Sequence, residues 1–279
     1  CGPDLERSLI DLGTQPPGHT LASAELDADR IDFLVDSLNI VEMPVVLDVF
    51  PRFDDPQQRA AALERGRTGL TADGLMDGGR VHADIEAWLR ILEQPRWYIS
   101  ARLVPRPYDE DSAITRICLA TTDAGTVLAV RRGAGLLMRG AVGDPAQALL
   151  NSLGRGHGCA HPSISAPTDL LAEALDASPA DVHSTAQRLT QVGIDERTAQ
   201  DVASAMSTCS AHAEITSVTV EDGRRIAGAH PVAFFDTGRG RLLATSSAAS
   251  DGLRWTTLSA GSDATVIRAL TELVNRAGR

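Results

Sequence analysis

Two segments of this chain follow one pattern. Ile117–Val130, Leu136–Arg139 and Gly143–Leu150 read as an apolar strand, an Asp/Gly turn, a second strand, a third strand, a small-residue break and the start of a helix. Val232–Thr245, Leu253–Leu258 and Gly261–Arg268 repeat that succession. A chain that carries one unit twice is constrained toward a pseudo-twofold scaffold. The links within each unit are short, whereas parallel strands need crossovers of about a dozen residues or more. The class is therefore α+β with antiparallel pairing, not a doubly wound nucleotide binder.

The stretches between the repeats read as helices with caps. Asp27 precedes the helical spacing of Ile31, Leu34, Val35 and Leu38. Pro44 ends that helix, and Val45–Phe50 predicts a short apolar strand. Asp55-Pro56 opens a helix to about Arg67, and Val81, Ile85, Trp88, Leu89 and Leu92 form another stripe that Pro95 stops. Trp97–Val104 and Ile114–Ala120 predict a hairpin whose long tip is Pro105–Asp111. Asp144-Pro145 starts a helix. Ser178-Pro179 and Asp195 open two more, with Gly193 closing the first. Glu214–Val220 is a strand, and Ser262 caps the last helix. These signals divide the chain into an irregular lead-in (1–24, with a short helix possible in Leu5–Leu12), an N-terminal half (25–153), a Gly/His/Ser-rich linker (154–166) and a C-terminal half (167–279).

Composition closes several classes of function. With 279 residues, 43% of them hydrophobic, a sizeable core is available. The net charge of −11, with no long basic run, disfavours nucleic acid and anionic membranes as partners. No run of about 18 apolar residues exists to span a bilayer. No signal peptide is visible, and although Cys1-Gly2 resembles a mature lipoprotein start, a truncated or reannotated start is the favoured reading. All 26 basic residues are arginine. Without lysine there is no Walker A motif, no kinase lysine, no Schiff base and no Ser-x-x-Lys site. The four cysteines form no Cys-x-x-Cys pair, which fits a reducing cytoplasm.

Three clusters invite chemistry. His157, Cys159 and His161 are of zinc-ligand type, but a structural zinc wants a fourth ligand. Ser178–Met206 has the outline of a helix-turn-helix, yet its second helix carries Asp195, Glu196 and Asp201 against Arg197 and Gln200, a poor set for reading bases. Asp54-Asp55 and Asp109-Glu110-Asp111 are carboxylate groups in polar loops, where water keeps them ionised. A metal-dependent enzyme and a DNA binder thus stand as alternatives to a binding protein. No catalytic residue, metal ligand or cofactor is assigned.

A resemblance favours the binding protein. Leu26–Leu38 followed by Met43–Leu47, Arg65–Met76, and Val81–Leu92 with Arg96-Trp97 behind it are similar to the mycobacterial EspG family. So are Asp236–Leu243, Trp255–Ser262 and Ile267–Leu270. The resemblance runs from about Leu26 to Val274. It departs at Ala260, where many relatives have Pro, and in lacking a Leu-Pro-x-Gly-x-Trp stretch after the last helix. It implies a central sheet flanked by helical bundles in two quasi-equivalent halves. It further implies a chaperone of type VII (ESX) secretion that binds PE–PPE heterodimers at the PPE tip, without cofactor or catalysis. The contact expected from it uses the hairpin (Arg102, Arg106, Tyr108, Asp109, Glu110, Asp111), the C-terminal bundle (Leu189, Val192, Gly193, Ile194) and the sheet (Thr216, Val218, Val220). Monomer and homodimer both remain open.

Overall fold

The computed structural model describes residues 20–108, 114–161, 163–176, 181–250 and 252–279. The first half begins with β1 (Ala24–Leu26), α1 (Ala28–Ser37), a 3-10 turn (Val45–Leu47) and α2 (Pro56–Ala72). A small hairpin, β2 (Met76–Asp77) and β3 (Arg80–Val81), precedes α3 (Ala83–Glu93). The meander follows as β4 (Trp97–Pro105), β5 (Thr115–Thr122), β6 (Gly125–Arg132) and β7 (Gly135–Gly140), closed by α4 (Pro145–Leu153). The second half runs β8 (Ile164–Pro167), α5 (Thr168–Asp176), α6 (Val182–Gln191), α7 (Glu196–Met206), β9 (Cys209–Glu221), β10 (Arg224–Ala227), β11 (Val232–Thr237), β12 (Gly240–Ala248), β13 (Arg254–Ala260) and α8 (Asp263–Ala277).

All strands but β2 and β3 form one antiparallel sheet in the order β1-β7-β6-β5-β4-β9-β11-β12-β13-β8, with β10 added to β9. The order is the same read from either edge, so the two halves meet along the β4–β9 ladder. The registers locate the pseudo-dyad. Ala101 pairs with Ile215 across the centre, while Ala101 also faces Ile117 and Ile215 also faces Val232. Ile117 and Val232 open the repeated segments read from the sequence. The backbone closes the ladder alike at both ends: the Arg106 amide donates to the Ser210 carbonyl at 2.7 Å and the Val220 amide to the Arg96 carbonyl at 2.9 Å.

Side-chain alternation distributes three cores. Ile99, Ala101, Ile117, Leu119, Ile215 and Phe234 turn to one face and pack under α4 and α8 through Leu149, Leu150, Leu270 and Leu273. Tyr98, Cys118, Ala120, Val127 and Met138 turn to the other face, beneath α1, α3 and the 3-10 turn. Over the second half that face is covered by α5–α7, with Leu189, Val202 and Met206 against Leu242 and Leu258. Caps read from the sequence hold: Asp27, Asp55, Asp144, Asp195 and Ser262 each accept from an amide in the first turn, worth about 1 kcal/mol apiece.

Several expectations are corrected. Val45–Phe50 is not a strand: Val45–Leu47 makes a 3-10 turn ended by Asp48 at φ +55°, and the Leu47 and Asp48 carbonyls are taken by the Arg131 guanidinium rather than by a neighbouring strand. The α6 cap is Asp181; Ser178-Pro179 lies outside the described residues, as do Leu5–Leu12 and Asp109–Asp111. Ala24 belongs to edge strand β1 rather than to a lead-in. The 154–166 stretch is sewn down. Arg241 donates to the Asp236 carboxylate at 2.6 and 2.9 Å and to the Gly154 carbonyl at 2.9 Å, and lies 3.8 Å above the Phe234 ring. The Arg241 amide donates to the His157 carbonyl, the Cys159 amide to the Arg241 carbonyl, and the Gly156 amide to Asp263. Ile164 then enters β8.

Candidate docking surface

The face that carries α1–α3 and α5–α7 has cover over its wings and little over its centre. Cross-strand partners share a face, so the registers list what lies there. Ser100 stands opposite Thr216, and Arg102 stands between Arg116 and Glu214. His212 stands between Val104 and Phe235. Arg102 and Glu214 are exposed, and Ser100, Thr216, His212 and Phe235 are half-buried. The β9 sequence explains this: Ser210, His212, Glu214 and Thr216 alternate with Ala211, Ala213 and Ile215, the mark of a strand with one solvated face.

The charges at this centre are loosely paired. Arg102 approaches Glu214 at 4.0 Å and His212 approaches Glu214 at 3.9 Å, while Arg116 reaches Asp48 at 3.4 Å. Arg106 has no ionic partner among the described residues. In a chain of net charge −11 the floor is thus locally arginine-rich. The His212 ring stacks on Phe235 with centroids 6.3 Å apart. Burial, then Arg106, pushes the His212 pKa down, against the opposing pull of Glu214. Its Nδ1 is buried and has no hydrogen-bond partner among the described residues.

The sequence-derived contact residues scatter over this surface. Arg102 and Thr216 lie on the open centre, Arg106 is half-buried at its end, and Tyr108 is 57% exposed on the hairpin. Leu189 and Ile194 are buried in the core of α5–α7 and Val192 packs partly against it, while Gly193 turns the chain at φ +96°. Val218 is buried in the core beneath α1 and α3, with Val220 packed against it. His212, Glu214, Arg116 and Phe235 were not singled out by sequence. The polar alternation of β9 was the available signal for the first two.

Among the described residues, the clusters that sequence singled out do not come together as a chemical site. Among the described residues no three His, Cys, Asp or Glu side chains gather closely enough to hold a metal ion, so His157, Cys159 and His161 do not form the suspected site. Burial raises the Cys159 thiol pKa, the reverse of what a thiolate ligand needs. The α6–α7 pair turns Thr198, Ala199, Val202, Ala203 and Met206 into its own core, so α7 is a packed bundle helix rather than a reading helix. No described helix is long and apolar enough to cross a membrane. A cleft of about 370 Å³ between α1, α2 and residues 40–53 is lined mainly by Val35, Ile40, Met43, Val49, Phe53 and Leu63, with no catalytic set.

A scaffold with an open sheet centre between helical walls is built for docking. The chain belongs to the EspG family, whose model matches residues 27–272. It is 26% identical over 266 residues to the ESX-3 secretion-associated protein EspG3 of Mycobacterium tuberculosis (strain CDC 1551 / Oshkosh), covering 90% of each chain. Its fold is similar to that of the M. tuberculosis type VII secretion system chaperone EspG5, solved in complex with a PE25–PPE41 dimer. The TM-score is 0.74 at 18% identity, over 91% of this chain and 96% of that one.

Proposed function

We propose that the protein is a cytoplasmic chaperone of a type VII (ESX) secretion system. It binds the PPE subunit of a PE–PPE heterodimer at its tip, keeps the pair soluble and helps deliver it for export, and it carries out no reaction of its own. Membership of the EspG family and the fold shared with EspG5 support this reading. The observation that carries it is the uncovered centre of the sheet, ringed by Arg102, Arg106, Tyr108 and Thr216 at the foot of the α5–α7 bundle. A helical tip that exposes apolar side chains aggregates. A reversible cover for it needs a few apolar anchors inside a polar rim. The contact then involves the hairpin, including Asp109, Glu110 and Asp111, and the bundle turn at Val192 and Gly193. Leu189, Ile194, Val218 and Val220 support it from beneath.

The test is co-expression with PE–PPE pairs. A cognate pair becomes soluble and co-purifies with the chain, and Arg102→Glu or charge reversal at Asp109–Asp111 weakens its retention. Failure to retain or solubilise any pair would remove the reading.

A further inference from the structure

On the face beneath α8, opposite the open centre, the two halves differ in chemistry. The dyad sets the pair Val130–Leu137 of β6 and β7 against Thr245–Thr257 of β12 and β13, and Leu128–Arg139 against Leu243–Ser259. A wing that is largely apolar in one copy of the unit thus bears hydroxyls in the other. The covering helices differ as well. α8 has 15 residues to the 9 of α4, and Leu273 and Arg276 stand on the excess. Between α8 and this wing lies a pocket of about 370 Å³. Its floor carries Thr245, Ser247 and Ser259, whose hydroxyls make no hydrogen bond among the described residues. Its base is apolar where Val232, Leu243 and Leu273 of the core under α4 and α8 reach it. On the α8 wall Arg268 is exposed and has no ionic partner among the described residues, and Arg276 approaches Glu272 only to 3.8 Å. His230 completes the lining, with its Nδ1 3.3 Å from the Ser246 carbonyl oxygen. A carbonyl only accepts, so in the neutral ring Nδ1 carries the proton and Nε2 is left as an acceptor.

We infer that this pocket is a binding site for a small phosphorylated polyol of the size of a hexose phosphate. Its volume lies at the small end of ligand sites. The floor hydroxyls each donate and accept, as sugar hydroxyls do. A ligand that presents the same groups replaces the water they hold at little cost. The apolar base meets the C–H face of a sugar ring. The charges of the lining are two arginines against one glutamate, so the pocket is locally cationic in a chain of net charge −11. A guanidinium without a carboxylate partner is matched by a phosphate, which accepts its paired N–H groups. A bare anion would leave the floor unused, and a neutral sugar would leave Arg268 unpaired. The inference goes beyond the proposed function and does not depend on it, because the pocket lies on the face away from the docking centre.

The probe is glucose 6-phosphate, titrated into the isotope-labelled full-length protein. Amide shifts are expected at Thr245, Thr257, Ser259 and Arg268, with a dissociation constant of about 1 mM or tighter. Glucose and inorganic phosphate each answer one part of the lining and should bind about tenfold more weakly or worse. Arg268→Gln should weaken the sugar phosphate about fivefold or more and leave glucose unchanged. Arg268 is exposed, so this variant keeps the fold. Absence of shifts in the pocket at about 10 mM ligand would overturn the inference. So would glucose or inorganic phosphate binding as tightly as the sugar phosphate, or an Arg268→Gln protein that binds the sugar phosphate unchanged. Retention of a PE–PPE pair, or its absence, bears on the proposed function alone.

Discussion

Arg241 and Asp236 face each other across β11 and β12, and the dyad places Thr126 and Thr121 at the matching position on β6 and β5. One half uses an ion pair whose arginine is 3% exposed; the other uses two hydroxyls 3.1 Å apart. The difference follows from what each must hold. Arg241 also ties down Gly154 and covers Phe234, while the threonines only tie two strands. Arg241 is buried while the Asp236 side chain is 32% exposed, so its loss costs charged hydrogen bonds and packing on Phe234 rather than a stranded buried charge, still more than a neutral hydrogen bond. Arg241→Ala should therefore cost about 2–3 kcal/mol in urea unfolding, against about 1 kcal/mol for Thr126→Val. His212 has its own signature. With its folded pKa below the ordinary 6.5, the unfolded chain binds more protons in the window beneath that value, so its contribution is full above pH 6.5 and is lost as pH falls toward the folded pKa. The drop in urea midpoint from pH 7.5 to pH 5.5 should shrink in His212→Gln. A drop equal to that of wild type would assign the dependence to other groups.

At the scale of elements, α1 and α2 cross so closely that a Cβ on Gly66 would lie 2.2 Å from the Asp29 carbonyl oxygen and 2.9 Å from the Phe33 Cβ. A mid-helix glycine weakens a helix by about 1 kcal/mol relative to alanine, and here close approach is the compensation. Gly66→Ala should accordingly lower stability, by about 1–3 kcal/mol in thermal or urea melts, despite its better propensity. A stabilised variant would mean that the helices part freely. The elements also show which parts of the fold sequence could reach. The hairpins with turns at Thr122–Gly125 and Thr237–Gly240 were legible because strand, turn and strand are local, and caps such as Asp144-Pro145 were legible for the same reason. Val45–Phe50 misled because a short apolar run has no periodicity to tell a strand from a buried turn. The β4–β9 ladder was illegible, since no local signal joins strands so distant in sequence. Of the residues expected at the contact, Arg102 and Thr216 lie on the open face, as the polar alternation of their strands suggests, whereas Leu189 and Ile194 are buried. Their burial was not legible, because an apolar residue near a helix end reads alike whether it faces a partner or its own bundle.

For the whole molecule, the palindromic strand order puts both short edge strands, β1 and β8, at the far rims and the longest ladder at the dyad. Stability should therefore be shared by the halves rather than divided between them. Native-state hydrogen exchange should give the amides of Ile99–Leu103 and Ala213–Ser217 the slowest, global-unfolding rates. Independent unfolding of one half would show instead as two separate plateaus.

The two helix connections differ in length, eighteen residues (38–55) against five (177–181), and the longer one bears on valency. A scaffold with true twofold symmetry would offer two equal seats and could bridge its clients into chains. Residues 40–47 pack over the Tyr98–Ala120–Val218 row of the first half and make the two wings unequal, so on the proposed function complexes weighed by light scattering should contain one client for every chain, however large the excess of client supplied.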